Sequence, residues 1–219
     1  RHELRFRRAD GRDLWAEVAS CPITGADGRH VGALAMVTDA TERRRRDEEL
    51  RANNARLRSM VADLERHKQD MAQIAELNEL LQSARTETEA FDVIRAVGAR
   101  LFAGSSGGLS IAGSGDEMIR VAAWGTPAWV PARYERKVCW AIRRGGPHLQ
   151  APGHGVHCSH YVGDGACRFL CTPLSVEGQL LGLLHLGDGA GTGDALLDDA
   201  TRRRGELFGE VIKLGLSNL

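Results

Sequence analysis

The sequence predicts an α+β protein in three parts: a short strand meander, a long charged helix, and a segment in which helices flank an antiparallel sheet. Three observations carry this. Residues 1 to 38 alternate apolar and polar around two Asp-Gly turns, Asp10-Gly11 and Asp27-Gly28. Residues 39 to 81 hold a seven-residue apolar repeat with no Gly or Pro to break it. Beyond them, helical periodicity gives way to short apolar runs punctuated by glycine and returns to helical periodicity at the end.

In the meander, HELRFRR, LWAEVASCPI and HVGALAMVT read as three strands joined by the two turns. The helix that follows is announced by Asp39-Ala40-Thr41-Glu42. The spacing lets Asp39 cap the first turn while Glu42 reaches back, a capping box. Leu50, Leu57, Leu64 and Met71 then recur every seven residues, with Asn54, Val61, Lys68 and Ala75 four positions after each. These are the d and a positions of a parallel two-stranded coiled coil, so the expected partner is a second copy of the chain. Asn54 and Lys68 weaken that seam while fixing its register. After Met71 the apolar positions are Ile74, Leu77 and Leu81, a step of three where the heptad calls for four, which shifts the phase as a stammer does. A weak seam with a phase shift suits a connector that switches between registers. The alternative is an amphipathic helix packed on its own domain.

From Met71 the helical pattern continues to Phe102, with Phe91, Ile94, Val97, Leu101 and Phe102 on one broad face, and ends at GSSGG. GLSIAGSGDEMIRVAAWG reads as two strands around a Gly-Ser-Gly-Asp turn, and PARYERKVCWAIRRGG as a helix stopped by two glycines. PHLQAPGHGVHCSHYVGDGAC has no clear period and reads as a long loop, the kind that in compact domains carries function. RFLCTPLSV and QLLGLLHLG form a hairpin around Glu177-Gly178, and the last segment is helical, with Phe208, Ile212, Leu216 and Leu219 in phase.

Composition bounds the function. The chain has 219 residues, 42% hydrophobic and 26% charged, with a net charge of zero. That is the balance of a soluble globular protein without a basic field to draw nucleic acid or anionic lipid. No apolar run approaches a membrane span and no signal peptide opens the sequence, so a cytoplasmic location is the expectation. Five cysteines do not pair off into a disulfide framework.

Two stretches carry a resemblance. ELRFRRADGRDLWAEVASCPITGADGRHVGALAMVT followed by Asp39-Ala40-Thr41-Glu42-Arg43 is similar to the last three strands of a PAS domain and its Asp-Ile-Thr-Glu-Arg exit, with Ala40 in place of the isoleucine. CTPLSVEGQLLGLLHLGD, with Pro173, Leu174, Gly178, Gly182 and Leu184, resembles the closing hairpin of a GAF domain, within a helix and strand order that resembles GAF over roughly residues 72 to 212. The resemblance implies the end of a PAS domain at 1–42, a coiled-coil linker at 43–72, a GAF sensor at 73–212 and the start of an output-linking helix at 213–219. It implies a five- or six-stranded antiparallel sheet, with helices on one face and a ligand pocket on the other. It further implies a fragment of a bacterial signal-transduction protein whose output is a diguanylate cyclase or a histidine kinase.

The chemistry-bearing residues cluster. Cys139, His148, His154, His157, Cys158, His160, Cys167 and Cys171 fall in one stretch, whereas Cys21, His2, His30, His67 and His185 are scattered over the rest. Thiolate and imidazole suit zinc or iron, and four of them closing a tetrahedron would give shape to a loop poor in apolar residues. The expected ligands are Cys139, Cys158, His160 and Cys171. No spacing among them matches a standard zinc motif. A thiol redox switch, an organic ligand pocket and plain buried cysteines are the alternatives. For a small ligand the candidates are Trp140, Arg143, Arg144 and Tyr161, with the arginines offered to an anion or to a thiolate at Cys139. At a helix C-terminus the same arginines also simply favour the dipole. No phosphate loop, nucleophile elbow or His-Glu-x-x-His helix is present, so this stretch is expected not to be an enzyme itself. A methionine sulfoxide reductase, known on the GAF fold, is the enzymatic alternative and requires mutually close cysteines.

Overall fold

The computed structural model describes residues 2–125, 130–151, 156–161, 168–188 and 199–219. The chain divides into two compact units, Arg1–Arg66 and His67–Leu219.

In the first unit, β1 (His2–Arg7), β2 (Asp13–Thr24) and β3 (His30–Asp39) form an antiparallel sheet in that order. Gly11 and Gly28 take the positive φ that the two turns require. The helix α1 (Thr41–Ser83) starts directly after β3. Asp39 Oδ1 accepts the Thr41 N–H at 2.9 Å, and hydrogen bonds from the Thr41 side chain first and its N–H second hold the Asp39 carboxyl below its ordinary pKa. Glu42 does not close a capping box; it pairs with Arg46 one turn on, at 2.9 Å. Arg43 bonds Glu3 at 2.8 Å and Arg44 lies 3.6 Å over the Trp15 ring, so the arginine run ties the first turn of α1 to its sheet. From residue 51 to 69 every side chain of α1 is exposed.

The second unit begins with the end of α1, where Ile74, Leu77 and Leu81 are buried. The helix α2 (Glu87–Leu101) is started by Thr86, whose hydroxyl accepts the Glu89 N–H at 3.2 Å while Glu89 reaches back to the Arg85 N–H at 2.8 Å. The sheet contains β4 (Ser105–Ala112), β5 (Glu117–Trp124), β6 (Arg133–Glu135), β7 (His148–Gln150), β8 (Phe169–Val176) and β9 (Gln179–Asp188), in the order β6-β5-β4-β9-β8-β7, antiparallel throughout. The helix α4 (Asp199–Ser217) completes the unit.

Period-two alternation in β4, β8 and β9 sorts the core into two layers. Leu109, Leu170, Leu174, Leu184 and Leu186 meet Leu77, Leu81, Ile94, Val97, Phe208 and Ile212 from the helices. The alternate residues, Phe169, Cys171 and Leu183, meet Met118, Tyr134, Cys139 and Cys158 on the other face. One glycine is dictated by the first layer: a Cβ on Gly107 would lie 2.4 Å from the Trp124 ring. The β8–β9 turn at Glu177 and Gly178 has φ of 50° and 82°, the left-handed pair that a two-residue hairpin needs.

Three elements differ from expectation. The helical pattern read from Met71 to Phe102 is two helices, broken between Ser83 and Glu87 where Thr86 caps the second. PARYERKVCWAIRRGG is not one helix: residues 133 to 135 pair with β5, Arg136–Val138 is a 3-10 turn, and only Trp140–Arg144 (α3) is α-helical. Tyr134 explains the strand, because it is buried between exposed neighbours, a period of two that places its ring on the second layer. Within the expected loop, His148–Gln150 forms the edge strand β7, with His148 and Gln150 turned inward. Among the described residues no helix is long and apolar enough to cross a membrane.

Candidate metal centre

On the second face of the sheet, four side chains from three places converge. Cys139 precedes α3, Cys158 and His160 lie in the segment 156–161, and Cys171 is on β8. One ligand atom from each lies within 4.8 Å of all the others, and all four residues are buried. A tetrahedral ion about 2.3 Å from each sulfur sets ligand atoms about 3.8 Å apart, so the gap to be closed is about 1 Å and the space suits a single ion. His160 Nδ1 is buried with no hydrogen-bond partner among the described residues. The ring's other nitrogen, Nε2, lies 3.8 Å from the Cys171 sulfur, and three sulfurs with one imidazole nitrogen are a donor set that a soft or borderline cation satisfies.

The backbone delivers these groups by local bonds. His148 donates Nε2–H to the Val156 carbonyl at 2.9 Å, and Gln150 Oε1 accepts the Cys158 N–H at 2.9 Å, so β7 holds the segment that carries Cys158 and His160. Cys158 Sγ accepts the Trp140 N–H at 3.3 Å, and an Ile142 backbone N–H serves Cys139. Cys171 Sγ lies 2.6 Å from the Tyr161 hydroxyl, 3.8 Å from His160 Nε2 and 3.8 Å from His185 Nδ1. His185 pairs directly across from Cys171 in the β8–β9 ladder, and its Nε2 faces Tyr134 Oη at 2.9 Å and Ser110 Oγ at 3.1 Å.

The electrostatics follow from this crowding. Cys158 is held well below the ordinary thiol range because Cys139 and then Cys171 hydrogen-bond to it, favouring its thiolate. The partner in the first of those bonds, Cys139, is pushed up to about 11. Cys171, Tyr161 and Tyr134 are pushed up chiefly by burial. Burial pushes His185 down, and His160 adds to this, so its ring is neutral. A bound dication would stabilise all three cysteine sulfurs as thiolates.

The remaining expected residues separate. Trp140 and Tyr161 both pack against the cluster. Arg143 is exposed and lies 4.0 Å over the Trp140 ring, and Arg144 is exposed. Arg143 is thus placed against the ring of Trp140, which itself packs on the cluster. His157 is exposed, while His154 and Cys167 lie outside the described residues. Sequence reasoning missed Gln150, Ser110 and His185. For His185 the signal was present: it occupies an inward position of an otherwise leucine-rich strand.

No family model matches the chain, and no curated protein does. Solved structures share the fold. The GAF domain of nlh2 from A. aeolicus in an inactive state has a TM-score of 0.54 at 12% identity, covering 70% of this chain and 98% of that one. Reduced fRMsr of Staphylococcus aureus has a TM-score of 0.54 at 16% identity, covering 67% and 94%. The GAF domain of a phosphoenolpyruvate-protein phosphotransferase from Coxiella burnetii has a TM-score of 0.53 at 13% identity, covering 68% and 93%. The class defined here is therefore a GAF-fold domain, an antiparallel sheet with flanking helices. At such identities the likeness is one of fold alone. It nevertheless corrects one expectation: this fold includes a free-methionine-R-sulfoxide reductase, so the expectation that the stretch is not an enzyme does not stand.

Proposed function

We propose that this chain is a metal-dependent sensory module of a signal-transduction protein, holding one zinc or iron ion through Cys139, Cys158, His160 and Cys171 and acting as a homodimer. The observation that carries the reading is the convergence of these four buried groups within 4.8 Å. A bound ion supplies a tetrahedral node linking α3, the segment 156–161 and β8. The protein's part is to present the ligands: β7 fixes the segment, the Trp140 N–H orients the Cys158 sulfur, and Tyr161 orients Cys171. The same sheet packs its other layer on α4 and the end of α1, so a change in strand β8 reaches both helices through Leu170 and Leu174. Along α1, Leu50, Leu57 and Leu64 are 59%, 58% and 68% exposed, a seam that a second copy would cover. The output that such helices feed is of the cyclase or histidine kinase class that the resemblance implies.

The test is metal content of protein purified without oxygen or chelator. About one equivalent of zinc or iron is expected, lost on substituting any of the four ligands. Protein that arrives metal-free and takes up neither ion when offered overturns the reading. A second reading rests on the Cys158 thiolate beside two further thiols: a thiol reductase on a GAF fold. Turnover of a sulfoxide substrate with consumption of thiol reductant by metal-free protein would favour it.

A further inference from the structure

We infer that His185 is a positioning residue of this metal centre, donating from Nδ1–H to the Cys171 sulfur while the Tyr134 and Ser110 hydroxyls fix its tautomer from the Nε2 side. The inference rests on the metal reading and deepens it. A neutral imidazole has one donor and one acceptor nitrogen, so two arrangements compete. Cys171 decides between them. As a metal-bound thiolate it accepts only, and the Tyr161 hydroxyl at 2.6 Å spends its proton on that sulfur. His185 Nδ1 then faces the sulfur at 3.8 Å and the oxygen lone pairs of Tyr161 at 3.5 Å, two acceptors, and must carry the hydrogen. Nε2 is left as an acceptor with one lone pair, which the Tyr134 hydroxyl takes at 2.9 Å, while the Ser110 hydroxyl, 3.1 Å from Nε2, hydrogen-bonds Tyr134 in turn. The register supports the same conclusion: His185 lies opposite both Cys171 on β8 and Gly108 on β4, in the middle of the six-stranded sheet, where a polar side chain finds no water. The placement gives Cys171 two donors, Tyr161 from the segment 156–161 and His185 from the sheet, tempering its charge and aiming its lone pairs at the ion.

The experiment compares wild type with His185→Leu, His185→Asn and Tyr134→Phe. Zinc affinity is measured by chelator competition, and the sulfur-to-cobalt charge-transfer band is recorded with cobalt(II) in place of zinc. His185→Leu is expected to weaken zinc binding by about 10- to 100-fold and to move the band to lower energy, because an unbonded thiolate is the stronger electron donor. His185→Asn, whose amide N–H falls near Nδ1, restores both readouts, and Tyr134→Phe shifts the band in the same direction as His185→Leu by less. Wild type that binds, with His185→Leu equal to it in affinity and band, overturns this inference alone. Leu and Asn variants equally weakened with unshifted bands reduce His185 to a space-filler and also overturn it. Should His185→Leu fail to fold, an unshifted band in Tyr134→Phe overturns the tautomer assignment. Wild type that takes up neither zinc nor cobalt overturns both readings together.

Discussion

Cys139, Cys158 and Cys171 touch one another yet differ in what each must give up to hold a cation. Cys158 is shifted toward the thiolate by hydrogen bonds from Cys139 and then Cys171. Cys139, at about 11, and Cys171, raised by burial, are protonated at neutral pH. Metal uptake must therefore release two thiol protons, and each contributes about tenfold in affinity per pH unit. Zinc affinity is expected to rise by about 100-fold per unit between about pH 7 and 8.5. Competition with a chelator of known pH dependence reads this, and a flat profile would mean that these thiols are not ligands. His185 gives the metal-free protein a different pH dependence. Its folded pKa lies below the ordinary 6.5, so the unfolded chain binds more protons. Its contribution to stability is thus complete above about pH 6.5 and falls as the pH drops toward the folded value, by about 1.4 kcal/mol per unit. Chemical denaturation at pH 7 and pH 5.5 should show a loss in wild type that shrinks in His185→Asn; an equal loss in both would place the acid sensitivity elsewhere.

At the scale of elements, the strand β7 and the end of α1 make the sharpest claims. Gln150 takes the Cys158 N–H, so Gln150→Ala should lower zinc affinity by about tenfold while circular dichroism stays unchanged. Unaltered affinity would show that the segment 156–161 is held by its other bonds. Leu77 is fully buried against α2, α4 and the sheet, and Leu77→Ala should cost about 2–5 kcal/mol. A loss below about 1 kcal/mol, read by urea denaturation, would mean that α1 is a detachable arm rather than part of the core. Both elements bear on what the sequence could reveal. The hairpin at Glu177-Gly178, the amphipathic α2 and the two-layer sheet were legible because each repeats its signal over many residues. The strand β7 was not, since three residues with His and Gln turned inward offer no apolar alternation. The strand β6 hid within a pattern that read as helix, because one buried Tyr134 between two charged residues resembles a solvated helix face. The four clustered thiol and imidazole groups were suggested by residue type alone; that Gln150 and His185 stand behind them follows only from strand pairing, which brings residue 185 opposite 171.

At the scale of the whole chain, α1 starts against the three-stranded sheet and its last turns, with Ile74, Leu77 and Leu81, are buried. From residue 51 to 69, α1 has no buried side chain, and a bare helix of that length is marginal in water. Covering Leu50, Leu57, Val61 and Leu64 with a second copy would stabilise it by about 1.5–3 kcal/mol for each leucine fully buried. Asn54 and Lys68 hold the gain down, which leaves the register within reach of a modest bias from the other end. That end is Leu77 and Leu81, which share a core with Leu170 and Leu174 of β8, the strand that carries Cys171. Single Leu57→Cys and Leu64→Cys variants, made with Cys21→Ser to remove the native thiol that is exposed among the described residues, should therefore form disulfide-linked dimers, whereas Ser59→Cys on the outer face should not. The rate at position 57 or 64 should change severalfold between zinc-loaded and chelator-treated protein, as judged by the dimer band relative to the Cys21→Ser parent. Equal rates in the two states would uncouple the connector from the site even if the dimer itself forms. Sedimentation of the untreated chain as a monomer at the concentrations used would remove the dimer and with it this route for the signal.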